Sequence, residues 1–338
     1  MKAKCWAAWH TNDDVRKAST SGGAFSALAE VVLGRGGVVI GAAYDDRLNV
    51  RHEFVMQREG LRRLRGVKYV KGSLGKEIYD GVREFLRQKR PVLFVGLPCQ
   101  VAAMRKVFGR APSLVLCDLV CFGAPPHRLW RKYVDWMEEK HGSRLVNVNP
   151  RDKKYGWGRK TYYRYEWADG RVTRKLSLFD PYAQMFYSAI GFSPCCFACQ
   201  FRGMDRVSDL TLCDMWNAAA LDLPEGVMRD GISGVIVHSD EGEELFSATA
   251  LERVPVPPEV FVKENYPILN SAQRPEAWRT FEEDSRVLAF GQLAKKYRLV
   301  RTPLNFWLRC FWTLSKSGIS RILPQRVKSA IKCKLVNK

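Results

Sequence analysis

Apolar positions along the chain fall into short helical and strand periods that alternate. Over Ala24–Leu33, Phe25, Leu28, Ala29 and Val32 recur on one helical face, and Gly36-Gly37 then opens an apolar strand, Val38–Tyr44. Lys76–Gln88 repeats the helical period through Ile78, Val82, Phe85 and Leu86. Pro91–Gly96 and Leu114–Val120 are continuous apolar runs of the kind that fill a buried strand, with a helix-like segment, Val101–Phe108, between them. Further strands are predicted over Tyr162–Trp167, Ser208–Cys213 and Gly234–His238. No internal repeat interrupts this order. The pattern predicts an α/β (α+β mixed) fold, a mixed sheet covered by helices.

Charge divides the chain. Lys and Arg number 55 against 35 Asp and Glu, a formal excess of +20 over 338 residues. Thirteen of those cations lie between Arg286 and Lys338, a stretch without a single acid, which leaves +7 for the rest. Pro255, Pro257, Pro258, Pro267 and Pro275 precede it, so residues 251–285 read as an irregular connection and 286–338 as a basic helical tail. Phe306, Trp307, Phe311 and Trp312 are followed by Val327, Ile331 and Leu335 at four-residue spacing among Arg and Lys. No run there approaches the roughly 20 apolar residues of a spanning helix. Two readings of the tail stay open: lying on an anionic membrane surface, or packing on the body with a solvated basic face. It has no recognisable nucleic-acid reader, so no nucleic-acid partner is expected. Met1–Trp9 has neither a long apolar core nor a small-residue cleavage site, which places the chain in the cytoplasm by expectation.

Ten cysteines in a reducing compartment point to metal ligands, redox groups or small core residues before disulfides. Cys99 directly follows one predicted strand and Cys121 another, at the carboxyl edge where open α/β sheets bind ligands. Cys196-Phe-Ala-Cys199 adds a C-x-x-C pair. Four such thiols suit a [4Fe-4S] cluster or a tetrahedral zinc, and having one C-x-x-C instead of two ranks the cluster first. Cys195 could replace Cys196, while Cys117 and Cys213 read as core residues. Ser19-Thr-Ser-Gly-Gly23 ahead of the first helix offers hydroxyls and free amides to an anion, or ordinary capping. It matches neither the dinucleotide nor the P-loop fingerprint.

Taken in order, Arg16–Gly23, Gly36–Asp45, Lys68-Tyr-Val70, Gly96-Leu-Pro-Cys-Gln100, Asp118–Gly123, Arg151-Asp-Lys153 with Gly156-Trp157, Cys196–Cys199 and Ser208–Trp216 resemble the beta subunit family of coenzyme F-420 hydrogenases and dehydrogenases. The resemblance implies a flavin-binding part over 1–90 and an iron–sulfur part over 91–250. FAD would be held by Ser19, Ser21, Gly22 and Gly23 at its pyrophosphate and flanked by Lys68 and Tyr69. A [4Fe-4S] cluster would be ligated by Cys99, Cys121, Cys196 and Cys199. Electrons would pass between that cluster and a deazaflavin or another acceptor. The bacterial branch it resembles is associated with exopolysaccharide or pyruvyl-transfer functions. Relatives often carry a ferredoxin-like N-terminal domain; here only Cys5 precedes the flavin turn, which implies a separate ferredoxin-like donor. Phe122, Cys213 and Asn217 depart from the family pattern. The competing expectation is a zinc-stabilised basic scaffold of a polysaccharide assembly without redox activity.

Overall fold

A computed structural model describes residues 4–158, 161–216, 218, 221, 223 and 226–300, Glu264 by its backbone alone. Its strands are β1 (Lys4–His10), β2 (Val38–Tyr44), β3 (Val50–Val55), β4 (Val92–Gly96), β5 (Leu114–Leu119), β6 (Leu145–Asp152), β7 (Tyr162–Trp167), β8 (Val172–Leu176), β9 (Leu210–Asp214), β10 (Ser233–Val237) and β11 (Leu251–Pro255). Helices are α1 (Asp13–Ala18), α2 (Ala24–Gly34), α3 (Leu61–Leu64), α4 (Lys76–Arg87), α5 (Pro98–Phe108), α6 (His127–His141), α7 (Pro181–Tyr187), α8 (Asp240–Ser247), α9 (Pro258–Glu264), α10 (Trp278–Val287) and α11 (Phe290–Lys296).

Eight strands form one mixed sheet in the order β11-β1-β10-β9-β5-β4-β2-β3. Its centre, β2, β4, β5 and β9, is parallel, with Val92 opposite Leu114 and Cys117 opposite Leu210. That arrangement needs apolar residues on both faces, and β4 is buried throughout. Side chains alternate accordingly: Val235 and Val237 join α2, α3 and α8 on one face, while Ile236 points to the other with Cys5, Ala7 and Phe261. The helices α4 and α5 cover β2, β4 and β5 on that second side. All parallel strands therefore end at one edge, together with β1.

A second sheet, β6-β7-β8, packs with α6, α7, α10 and α11 around Trp130, Tyr133, Tyr165 and Tyr182. There the Tyr133 and Tyr165 hydroxyls donate to the Asp180 carboxylate at 2.8 and 2.7 Å, and Asp180 caps α7 through the Ala183 amide. Burying those phenols costs little because each hydroxyl keeps an acceptor.

Two boundaries differ from the sequence reading. The proline-rich stretch carries structure: β11 pairs with β1 from Trp6–Pro255 to His10–Leu251, and prolines start α9 instead of breaking it. The basic segment does not begin at residue 286, because Phe290, Leu293, Ala294 and Leu299 are buried in the second core. Residues 301–338, with the remaining amphipathic segment, lie outside the described residues.

Candidate functional site

A cavity of about 560 Å³ opens between the carboxyl edge of the large sheet and the second sheet with α7. Each parallel strand delivers its next residues to the wall: Gly96 and Leu97 after β4, Val120 to Ala124 after β5, Asp214 and Trp216 at β9. Ser19, Thr20, Ser21 and Gly23 line it at the entry to α2, and Lys68 and Tyr69 line it from the loop after α3. Five of the six residues expected around a flavin thus share one cavity with Cys121.

The turn is held by tight backbone packing. Ser19 Oγ donates to the Val15 carbonyl at 2.7 Å and Ser21 Oγ to the Ile232 carbonyl at 2.5 Å, so both hydroxyl protons are committed inside the protein. A Cβ on Gly22 would stand 2.4 Å from the Ala8 carbonyl oxygen and 2.5 Å from the Ser233 nitrogen. Gly22 lies outside the cavity wall and lets the turn lie flat on β1 and β10. Gly23, at φ +93°, provides the left-handed step into α2.

Lys68 Nζ donates to the carbonyls of Arg63, Leu64, Arg65 and Gly66 at 3.0–3.2 Å, pinning the loop at the carbonyl end of α3. Burial pulls its pKa down to about 7. Lys153 does the same for the Ser–Gly turn, reaching the carbonyls of Arg16, Ser21 and Asp230 at 2.8, 2.5 and 2.6 Å, and burial brings it to about 7 as well.

Arg151 arrives from β6 of the other sheet. Its Nη1 donates to Asp214 at 3.0 Å and its guanidinium lies 4.8 Å from the Trp216 ring centre. Trp216 stacks in turn on Trp157 at 4.9 Å and 9°. Burial opposes the Arg151 charge, but Asp214 and the Tyr69 hydroxyl outweigh it and hold the pKa above its ordinary value. The second terminal nitrogen, Nη2, has no hydrogen-bond partner among the described residues, although Arg151 is 7% exposed. Buried donors are rarely left so.

On the other side of Cys121 the thiols gather. Cys99 is the second residue of α5, whose start is closed by the Leu97 amide donating to Gln100 Oε1 at 2.9 Å. Arg202, three residues past Cys199, donates through Nη1 to the carbonyls of Cys121 and Pro267 and through Nη2 to that of Phe122. The Ser193 hydroxyl binds the Ala124 carbonyl at 3.2 Å. These bonds draw the C-x-x-C loop onto the end of β5. Burial raises the thiol pKa of Cys99, pushes Cys121 up to about 12 and Cys196 to about 11. Neighbouring sulfurs raise them further: Cys199 and Cys195 act on Cys99, Cys196 and Cys99 on Cys121, and Cys195 and Cys199 on Cys196. Each of the four expected ligands, and Cys195, is thus within electrostatic reach of at least one other. Among the described residues no three are drawn together as tightly as a metal site requires. Cys117 is fully buried core, as read from the sequence, whereas Cys213 lines the cavity because β9 ends there.

His52, Arg65, Gln100, Thr161 and Tyr187 also line the cavity and were not singled out in the sequence. Gln100, inside Gly96–Gln100, carried a signal: a polar residue one turn into a helix that starts with proline.

Two family models match the chain. The one for the N-terminal part of the coenzyme F420 hydrogenase/dehydrogenase beta subunit covers residues 5–76, and the one for the C terminus of the same beta subunit covers 89–255. A chain of the xenon-derivatized F420-reducing NiFe hydrogenase complex from Methanosarcina barkeri is similar in fold, with TM-score 0.51 and 19% identity over 83% of this chain and 91% of that one. Comparison with curated proteins finds no match.

Proposed function

The chain belongs to the coenzyme F420 hydrogenase/dehydrogenase beta subunit family, and on that premise we propose that it is an electron-transfer oxidoreductase using FAD and a [4Fe-4S] cluster. The observation that carries the reading is the sharing of Cys121 between the cavity wall and the group of thiols. The cavity fits a flavin by size, by its small-residue turn and by its cationic lining. Ser21 and Gly23 would receive the pyrophosphate through backbone amides, Ser19 standing beside it with its own amide held by the Arg16 carbonyl, and Lys68 and Tyr69 would flank the ring. Cys99, Cys121, Cys196 and Cys199 suit the cluster by donor chemistry, with Arg202 beside Cys121 to offset charge. A flavin bound there would convert two-electron into one-electron transfer, and a cluster would accept single electrons. The protein's own part is to bind, to exclude water with Phe122, Phe186 and Phe192, and to hold Cys121 in the cavity wall.

In this reading a separate ferredoxin-like protein supplies the electrons, near the exposed Cys195. The acceptor is a deazaflavin or another small oxidant, and a role in surface-polysaccharide synthesis accords with the bacterial resemblance. Residues 301–338, with nine cations and no acid, would hold the protein on an anionic membrane surface. Among the described residues no helix is long and apolar enough to cross a membrane.

Anaerobic purification tests the reading. It predicts a brown protein containing flavin, iron and sulfide, with iron lost in Cys99→Ser and Cys121→Ser. A colourless protein with one zinc and no flavin would overturn it in favour of the scaffold.

A further inference from the structure

The flavin reading leaves one cation of the cavity wall without a role. Arg151 stands on β6 in the cavity wall with Thr161, Tyr69 and Tyr187, with Asp214 on one terminal nitrogen and the Trp216 ring under the guanidinium. A guanidinium placed only to pair with Asp214 would satisfy its donors within the protein. Here Asp214 takes Nη1 and the Tyr69 hydroxyl supports the guanidinium charge, yet Nη2 meets no partner at hydrogen-bond geometry among the described residues, in a residue that is 7% exposed and lines the cavity. Leaving a charged donor unmet in a buried wall costs stability, and an oxyanion from the cavity side removes that cost. Thr161, itself 6% exposed, lines the same wall and lies 3.4 Å by its hydroxyl from the Tyr187 hydroxyl. Those groups add neutral polar contacts beside the cation.

We propose that this stretch of the wall is the substrate subsite, and that Arg151 takes through Nη2 the carboxylate or phosphate of an anionic electron acceptor, Asp214 acting as a positioning residue that fixes the guanidinium. The substrate assignment rests on the redox reading; the anion site does not. Arg65 also lines the cavity, so two anionic groups, one from a cofactor and one from a substrate, find separate cations. Neutral acceptors are selected against, since they would leave Arg151 Nη2 unmet.

The test uses the full chain purified anaerobically with whatever cofactors it retains. Sodium benzoate, inorganic phosphate and neutral benzamide are titrated separately, with calorimetry and intrinsic tryptophan fluorescence as readouts. Saturable binding of benzoate or phosphate is expected, with benzamide at least about tenfold weaker, and the stronger anion identifies carboxylate or phosphate as the recognised group. R151Q should weaken anion binding by about ten- to a hundredfold while the flavin content stays unchanged. Should R151Q leave Asp214 buried without its partner and fail to fold, the R151Q/D214N double variant removes both charges and should show the same loss. The inference is overturned if neither anion saturates the wild-type protein or if the folded double variant binds as the wild type does. Release of flavin by R151Q also overturns it, since Arg151 would then hold the cofactor's phosphate. A protein without flavin that still binds anions through Arg151 would sink the redox reading and leave the anion site standing.

Discussion

Replacing Gly22 with alanine adds one carbon to the turn, at a point where the protein has no room for it. That carbon would lie 2.4 Å from the Ala8 carbonyl oxygen, 2.5 Å from the Ser233 nitrogen and 3.1 Å from the Ile232 carbonyl carbon. All three are backbone atoms of, or next to, sheet strands, so no rotamer change relieves the contact. The turn must lift, stretching the 2.8 Å bond from the His10 amide to the Gly22 carbonyl. Overpacking costs roughly 1–3 kcal/mol where side chains can adjust, so about 3 kcal/mol is expected at a rigid site. Against a total stability of about 5–15 kcal/mol that is a large loss. With a urea dependence near 3 kcal/mol per molar, the unfolding midpoint should fall by about 1 M. Gly34 supplies the control: it ends α2 with no atom within 4 Å of its Cβ position. Alanine there should stabilise by about 0.5–1 kcal/mol. Urea unfolding followed by circular dichroism reads both variants, and flavin absorbance reads the turn. Equal midpoints for Gly22→Ala and Gly34→Ala would refute the packing account of this turn.

Truncation separates the two parts of the basic segment. Ending the chain after Val300 should leave unfolding unchanged and abolish sedimentation with anionic vesicles. Ending it after Asp284 strips Phe290, Leu293 and Leu299 from the core, at about 2–5 kcal/mol each, and should remove cooperative unfolding. Equal vesicle binding by the chain ending at Val300 would contradict the membrane reading. For Lys153 the pH dependence has a fixed sign. Its folded pKa of about 7 lies below the ordinary 10.5, so between those values the unfolded chain holds a proton that the folded chain has released. Stability from this group therefore increases as pH rises through that window, by at most about 1.4 kcal/mol per unit. Urea midpoints of wild type and Lys153→Met at pH 7.5 and 9.5 should diverge accordingly, and parallel shifts would disprove it.

The parallel centre of the sheet was legible because strands buried on both faces leave continuous apolar runs. Val38–Tyr44 and Leu114–Leu119 have that signature, and the helices at 24, 76 and 98 have clean stripes. β1 escaped because Cys-Trp-Ala-Ala-Trp lacks β-branched residues, although β10 and β11 enclose it on both sides. Prolines at 255, 257 and 258 suggested a connection, yet Pro255 ends an edge strand and the next two open a helix, places where a missing amide proton costs nothing. In the site, the Ser–Gly turn and the thiols were visible because each is a local pattern. Arg151 was visible as a candidate to tune a flavin or bind an acidic substrate, with structural ion pairing ranked ahead. Its place in the cavity depends on how the second sheet docks against the first, and no local spacing encodes that.

That docking explains why the site has two walls of different character. The large sheet contributes backbone: strand ends, the helix entry at Ala24 and the turn that Gly22 lets sit close. The smaller unit contributes side chains with charge or aromatic faces, Arg151 from β6 and Phe186 and Tyr187 from α7. Cys121 lies where the two meet: its carbonyl is held by Arg202, and Gly123 beyond it allows the Phe192 ring to approach so closely that a Cβ would stand 2.2 Å away. Of the four expected ligand cysteines, Cys121 alone lines the cavity, so a shift of one strand end moves the cavity wall and a thiol together. The cavity wall and the thiol group therefore share one residue, Cys121. The close packing of Phe192 on Gly123 fixes the backbone directly after it.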